Sequence, residues 1–299
     1  MNLSVFADLL STGVLRGGLY ALMGVGLALT FGVMNICNFA HGEFYMIGAY
    51  VAYFAFVVFG LNPILSILLA SLGAFVAGAI VERLIFNPLR KRSKESWVMN
   101  AFLVTAGLSI ILQNSVQMIF GTRYKGVSQY FSGFVHVAPG MAISTDRAMA
   151  FVIAVLAIAA FWIFLQRTDT GRAIRAVAQD ERGASLVGIN LPNIHTLTFA
   201  LGCMLAGLGG ASLLSLSPAY PTSGTRPTIT AWFVVTIIGL GNTGAAIVGG
   251  LIVGILQTFV FFYVGNGWQD LVDLLLLIVL IWFKPAGLFG TPVKGILER

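Results

Sequence analysis

The sequence predicts an all-α polytopic membrane protein, a bundle of about eight or nine transmembrane helices, from three observations. Hydrophobic residues make up 58% of the 299 residues and charged residues only 9%, whereas soluble domains carry about 25% charged residues. The mean hydropathy is +0.92, and apolar runs approaching the roughly 20 residues that cross a bilayer recur along the whole chain. The 35 glycines favour helices that pack closely or break.

The apolar runs define nine candidate segments within a single transmembrane domain, residues 1–299. They lie near Leu9–Phe31, Phe44–Phe59, Ile64–Phe86, Trp97–Phe120, Ala148–Leu165, Ile194–Leu216, Thr230–Leu240, Ala245–Tyr263 and Leu271–Phe283. The five tryptophans fall near the ends of these segments, where headgroups accommodate an amphipathic ring. They are Trp97, Trp162, Trp232, Trp268 and Trp282.

The seventh and eighth segments predict a broken or re-entrant helix hairpin. Together they span only 34 residues, Thr230–Tyr263, which is short for two full helices at about 1.5 Å per residue. Broken helices are tolerated at membrane depth only where protein or a water-filled cavity surrounds them. We therefore expect Gly239, Gly241 and Asn242, in the turn of this hairpin, to border the translocation path.

The net charge of +6 is concentrated in three short segments. Twelve of the 17 basic residues lie in Arg83–Lys94, Arg167–Arg182 and Lys284–Arg299, as expected of cytoplasmic connections under the positive-inside rule. The basic balance therefore indicates membrane topology, and we expect no nucleic-acid partner.

A polar connection over residues 167–192 separates two strongly apolar spans. It carries seven of the 28 charged residues. On a single helix over Arg172–Val187, the arginines would share one side and small apolar residues another, with Asp180 inside the apolar arc. Periodicity alone allows two interpretations: a surface on which a partner docks, or an amphipathic helix lying on anionic lipid.

A polar cluster stands between the first two spans, at Asn35, Asn38, His41 and Glu43. An ionisable group inside a bilayer indicates a functional site by default, so these residues are candidates for lining the path. Two alternatives remain open. The cluster is a solvated cytoplasmic turn, or His41 and Glu43 pair to hold the bundle together.

A second polar row lies on the fourth span, where Thr105, Ser109 and Gln113 recur every four residues. Such a ridge suits a path for the zwitterionic ends of an amino acid, or hydrogen bonding between packed helices. Near the last span, Asp270 and Asp273 are expected to act as N-terminal capping charges rather than as ligands.

Several enzyme motifs are missing from the sequence. It contains no G-x-x-x-x-G-K-[ST] phosphate loop, no H-E-x-x-H metal motif and no G-x-S-x-G elbow. We therefore predict that the chain is not an enzyme, with no catalytic residues, no metal ligands and no cofactor of its own.

Three motifs resemble the LivH-like permease subunits of ABC importers for branched-chain amino acids. The first is the polar connection, with Gly171, Arg175, Ala176, Ala178, Ala184 and Gly188-Ile189-Asn190 in the family's spacing. The others are the segment Gly18–Tyr50 and the pair Ile238–Gly250 and Lys284–Gly290. The resemblance extends along nearly the whole chain.

The resemblance implies a permease subunit in the bacterial inner membrane that imports branched-chain amino acids or related small polar solutes. Its implied partners are a second permease chain, ATP-binding-cassette ATPase subunits that use the ATP, and an external solute-binding protein. Residues 167–192 would be the cytoplasmic coupling loop. Its implied ATPase-coupling residues are Gly171, Arg172, Arg175, Ala176, Asp180, Glu181, Ala184 and Gly188. The alternatives are an aquaporin-like passive channel and an ion-coupled secondary transporter.

Overall fold

The computed structural model describes residues 3–93, 96–138 and 141–290. Lys94 and residues 291–299, which belong to two of the predicted basic segments, lie outside the described residues. The described chain is helical throughout, apart from its connections and one small antiparallel hairpin.

Twelve helices and two strands follow in order. They are α1 (Leu3–Met34), α2 (His41–Tyr53), α3 (Pro63–Val81), α4 (Asn87–Arg92), α5 (Trp97–Phe120), β1 (Phe134–Ala138), β2 (Met141–Ser144), α6 (Thr145–Arg167), α7 (Asp169–Gln179), α8 (Glu181–Leu186), α9 (Leu191–Ser212), α10 (Thr225–Ile238), α11 (Ala246–Tyr263) and α12 (Gln269–Phe283). A π-helical turn extends α2 over Phe54–Val58, and another joins α3 to α4 over Glu82–Phe86. A short 3₁₀ turn, Asn266–Trp268, precedes α12.

Each of the nine predicted segments coincides with a helix, which confirms the all-α polytopic fold. Within the described residues, seven helical stretches are long and apolar enough to cross a membrane. The two segments outside that set are α2 and α10, which are shorter and lie mostly buried within the bundle.

The bundle is built around α1 and α9, whose apolar windows are buried over most of their length. Helix α1 packs antiparallel on α11, and α9 packs against α2 and α3. Glycines allow these helices to pack closely. At the crossing of α2 and α9, for example, a Cβ added to Gly48 would lie only 2.5 Å from the Cα of Gly207. Small residues at helix crossings are the usual means of close packing inside a membrane.

The chain is broken at membrane depth between α1 and α2. The ring of His41, the first residue of α2, bonds through Nε2 to the carbonyl oxygen of Met23, 3.2 Å away. Met23 lies about three turns before the end of α1, so the residues from Asn35 to Ala40 run back into the bundle. Asn35 begins this return in the left-handed region with φ 53°, which Asn adopts more readily than most residues.

Helix α10 also begins inside the bundle. A Cβ on Gly42, in the first turn of α2, would overlap the carbonyl oxygen of Gly224, the residue that precedes α10. The N-termini of two short helices therefore meet within the protein. This is the setting in which broken helices are tolerated at membrane depth.

The predicted broken hairpin is present. Helix α10 ends at Ile238 and α11 begins at Ala246, and the turn between them contains Gly239 at φ 103° and Gly241 at φ 85°. L-residues rarely adopt these angles, so glycine suits both positions. The turn also receives the segment after α12, because the amides of Leu288 and Phe289 donate to the carbonyl oxygens at the end of α10, at 2.8 and 2.9 Å.

The described basic segments gather at one end of the bundle, which we call the basic end. It comprises α4, α7, α8 and residues 284–290. One tryptophan prediction is wrong: Trp232 lies in the middle of α10 and stacks on Phe39, with ring centroids 5.6 Å apart. Stacking on Phe39, which is 40% exposed, gives the face of the Trp232 ring a protein contact away from a span end.

Candidate functional site

The predicted coupling segment forms two helices instead of one, so the single helix over Arg172–Val187 is wrong. The break falls at Asp180, whose extended backbone has φ −154° and ψ 102°. Its carboxylate accepts a hydrogen bond from the amide of Arg182 at 3.0 Å and caps α8. Short polar side chains favour such caps over helix interiors, which explains why a helical projection misplaced Asp180 in an apolar arc.

Helix α7 is held tightly against the bundle. Thr168 caps it by accepting the amide of Gly171 at 3.0 Å, and a Cβ on Gly171 would lie 2.6 Å from Leu165 at the end of α6. Ile174 and Val177 are buried on the inward face. The predicted coupling residues Arg172, Arg175, Asp180, Glu181 and Gly188 are exposed, Ala176 is half-buried and Ala184 is buried.

Arg175 and α7 lie beside the hairpin turn. Arg175 donates from Nη1 to Oε1 of Gln166 at 2.9 Å, and a cavity of about 200 Å³ brings Ile174 and Arg175 together with Gly32, Gly241 and Thr243. Helix α7 is therefore adjacent to the end of α1 and to the turn between α10 and α11. The role of Gly239, Gly241 and Asn242 in the path stays a prediction, and their position is at the basic end.

The surface that α8 presents is apolar at its tip. Leu186 is 88% exposed and Val187 is 78% exposed, and Gly188 follows at φ 86°. Residues 167–192 carry four arginines and three acidic residues, so the net charge of the segment is only +1. The exposed apolar tip suits a protein partner that offers an apolar recess.

A buried ion pair anchors the neighbouring helices. Nη2 of Arg90 lies 3.2 Å from Oε1 of Glu82 in the π-helical turn, and the Thr196 hydroxyl of α9 donates to the other carboxylate oxygen. The Arg90 guanidinium also lies 4.8 Å from the centroid of the Trp97 ring. This cluster ties α3, α4 and α5 to α9 at the basic end.

The polar cluster before α2 and the polar row of α5 meet at Glu43. Its Oε1 accepts hydrogen bonds from Ser109 Oγ and Gln113 Nε2, both at 2.8 Å. These three side chains line a cavity of about 350 Å³ between α2, α5 and α10. Its other lining residues are Phe39, Ala106, Thr225, Thr228, Ile229 and Trp232.

Both alternatives for the Asn35–Glu43 cluster are wrong. Asn38, His41 and Glu43 are buried, so the cluster is not a solvated turn. His41 bonds to α1 and Glu43 to α5, so the two do not form the predicted pair.

The remaining predicted path residues hold the chain break together. Asn38 accepts the amide of Ala40 through Oδ1 at 3.1 Å, and Thr105 donates to the carbonyl oxygen of Cys37 at 3.1 Å. Asn35 is exposed at the end of α1 and lies apart from this group. The bonds of Thr105, Ser109 and Gln113 agree with hydrogen bonding between packed segments. The path for the ends of an amino acid stays a prediction.

Residue patterns missed three features. Trp232 and Phe39 form a wall of the cavity, although each looked like an isolated aromatic residue. Glu82 and Arg90 are eight positions apart, and the spacing of a regular helix did not predict that they would pair. Asp273 is buried and receives a hydrogen bond from Gln257 of α11, so it is not the predicted capping charge.

The fold and these sites define a polytopic membrane protein of the transport class. The predicted coupling segment lies at the basic end, and a cavity lined by Glu43 lies halfway along α5. The chain matches over residues 9–282 the family described as the permease component of the branched-chain amino acid transport system. It belongs to that family, as the motifs predicted.

Three relatives agree with this assignment. The chain is 33% identical to the high-affinity branched-chain amino acid transport system permease protein BraD of Pseudomonas aeruginosa, over 95% of each chain. It is 32% identical to LivH of Escherichia coli strain K12 and 31% identical to LivH of Salmonella typhimurium, over 96% of each chain. Both LivH proteins are described as high-affinity branched-chain amino acid permeases. No solved structure gives a significant match.

Proposed function

We propose that the chain is the permease subunit of an ATP-driven importer of the bacterial inner membrane, with branched-chain amino acids as its substrates. The family match along nearly the whole chain carries this proposal. We take the substrate class from the names of the relatives, which are branched-chain amino acid permeases. The permease role implies an ATPase pair, a second permease chain and an external binding protein.

In this mechanism, α7 and α8 transmit ATPase closure to the bundle. An ATPase subunit would bind the exposed tip at Leu186 and Val187. When the ATPase closes and displaces this tip, α7 would transmit the movement to α6, α1 and the α10–α11 turn. The ATPase subunits use the ATP, and this chain supplies the lever and the path. A passive channel has no use for such a segment.

Leu186→Glu is expected to reduce recovery of the ATPase subunit with the tagged chain by about tenfold or more, because a charge replaces an exposed apolar anchor at the centre of the contact. The measurement is a pull-down from detergent-solubilised native membranes, with mass spectrometry of the bound proteins. Since the side chain is 88% exposed, the substitution should leave the melting temperature of the chain unchanged.

The matched control is Phe134→Glu, which places the same charge on a comparably exposed apolar residue of β1, outside the basic end. It should retain the ATPase at wild-type level. If the tagged wild-type chain is recovered without an ATPase subunit, the result contradicts the importer proposal. Equal ATPase recovery with wild type and Leu186→Glu contradicts the assignment of α8 as the contact.

A further inference from the structure

We propose that the cavity between α2, α5 and α10 is a transient binding site for the zwitterionic head of the transported amino acid, with the Glu43 carboxylate receiving its ammonium group. This inference rests on the proposed function and names the part of the path that recognises the substrate.

The geometry of Glu43 indicates a missing cationic partner. Glu43 is only 1% exposed. Ser109 and Gln113 bond to its Oε1, which orients the carboxylate, while Oε2 is buried with no hydrogen-bond partner among the described residues. A buried carboxylate oxygen left in this state is costly. A ligand that donates a charge-assisted hydrogen bond would remove that cost.

The described residues place no cationic side chain in this cavity. None of the described residues that line it is lysine or arginine. His41, two residues away, donates from Nε2 to the carbonyl oxygen of Met23 in α1. A cation that complements an ionised Glu43 would therefore arrive with the ligand, which favours an α-amino acid over a neutral amide or a carboxylic acid without an amino group.

The carboxylate of the ligand, which is on the same carbon as the ammonium group, finds partial positive charge. Helix α10 begins at Thr225, which lines the cavity, and a helix N-terminus favours a carboxylate. The indole Nε1 of Trp232, another lining residue, is buried without a partner among the described residues. It is a donor only and suits the same carboxylate.

The rest of the lining suits an aliphatic side chain. Ala106, Ile229 and the Phe39–Trp232 pair present apolar surface. Ser109 and Gln113 lie in the middle of the 24-residue helix α5, so the site lies halfway across the bundle. One charged contact on an otherwise uncharged wall gives selectivity for the zwitterion without the tight binding that would slow release.

The test uses photo-leucine, a diazirine analogue of leucine, on the purified wild-type complex in lipid nanodiscs. After irradiation, peptides are mapped by mass spectrometry. Adducts are expected on peptides of α5 and α10 that contain Ala106, Ile229 or Trp232. L-leucine should protect them at least about tenfold better than 4-methylpentanoate, which lacks the ammonium group, or than urea, since only leucine brings a charge-assisted hydrogen bond to Glu43.

Glu43→Gln removes the charge and keeps an acceptor for Ser109 and Gln113, so it should lower this labelling by about tenfold or more. The matched control is Asp273→Asn, which changes another buried carboxylate whose Oδ1 also has no partner among the described residues, outside the cavity. The control should label like the wild type.

Equal protection by leucine and 4-methylpentanoate, labelling confined to other helices, or undiminished labelling of Glu43→Gln overturns the inference. The competition arm needs only the wild-type chain, so a poorly folded variant does not prevent a result. If an ATPase subunit co-purifies but the cavity is not labelled, this inference fails alone. If no ATPase subunit co-purifies, the proposed function fails as well.

Discussion

Replacing Arg90 with methionine is expected to lower the stability of the folded chain by about 3–5 kcal/mol, because the substitution strips a buried carboxylate of its cation. Glu82 is fully buried and Arg90 is 19% exposed, with Nη2 and Oε1 3.2 Å apart. After the substitution, only the Thr196 hydroxyl remains bonded to the carboxylate. The loss of the guanidinium also removes its contact with the Trp97 ring. The measurement is the melting temperature in detergent, followed by fluorescence-detected size-exclusion chromatography.

The control for this prediction is the double variant Glu82→Gln/Arg90→Met. Replacing both partners of a buried pair is often nearly neutral, whereas removing one is costly. The double variant should therefore melt well above Arg90→Met and close to the wild type. If both variants melt at the same low temperature, Arg90 stabilises the chain through packing on Trp97 rather than through the carboxylate.

Gly48→Ala is expected to destabilise the bundle by about 1–3 kcal/mol or more, because an added methyl group overpacks the crossing of α2 and α9. The new Cβ would lie 2.5 Å from the Cα of Gly207, and backbone cannot yield as the end of a side chain can. Helix α2 carries Glu43, so its displacement should also disturb the cavity. Both the melting temperature and the photo-leucine adducts described above measure the effect.

The matched control is Gly107→Ala in α5, where a Cβ meets nothing within 4 Å. Alanine has the higher helix propensity, worth roughly 1 kcal/mol over glycine in a helix interior. This variant should therefore melt at or slightly above the wild-type temperature. A fall as large as that of Gly48→Ala would show that glycine matters in these helices for a reason other than close packing.

Prediction from the sequence succeeded where a signal is local and repeated. The nine apolar runs coincide with helices because apolar stretches bounded by turn residues and charge form helices whatever they pack against. The break around Gly239–Gly244 was also predictable, since its flanking runs were too short. The motif spacing around Gly171 and Gly188 indicated the family that the match over residues 9–282 shows.

Prediction failed where a local alternative competed with the helical pattern. Asp180 interrupts the coupling helix by capping α8, because short acidic side chains bond readily to nearby backbone amides. Trp232 was assigned to the end of a span, yet it lies in the middle of α10 and stacks on Phe39. Neither outcome has a periodic signature, so helical projection could not detect it.

The sequence by itself determined the membrane class, the positions and order of the nine apolar segments, the basic segments and the family, because hydropathy, charge position and motif spacing are properties of neighbouring residues. Only the tertiary structure decided that Glu43 meets Ser109 and Gln113, which lie 66 and 70 residues further along the chain. That meeting depends on a chain break that returns α2 into the bundle, and on glycines that let α2 approach α9 and α10. Contacts of this kind arise from packing between distant segments, which no local pattern encodes.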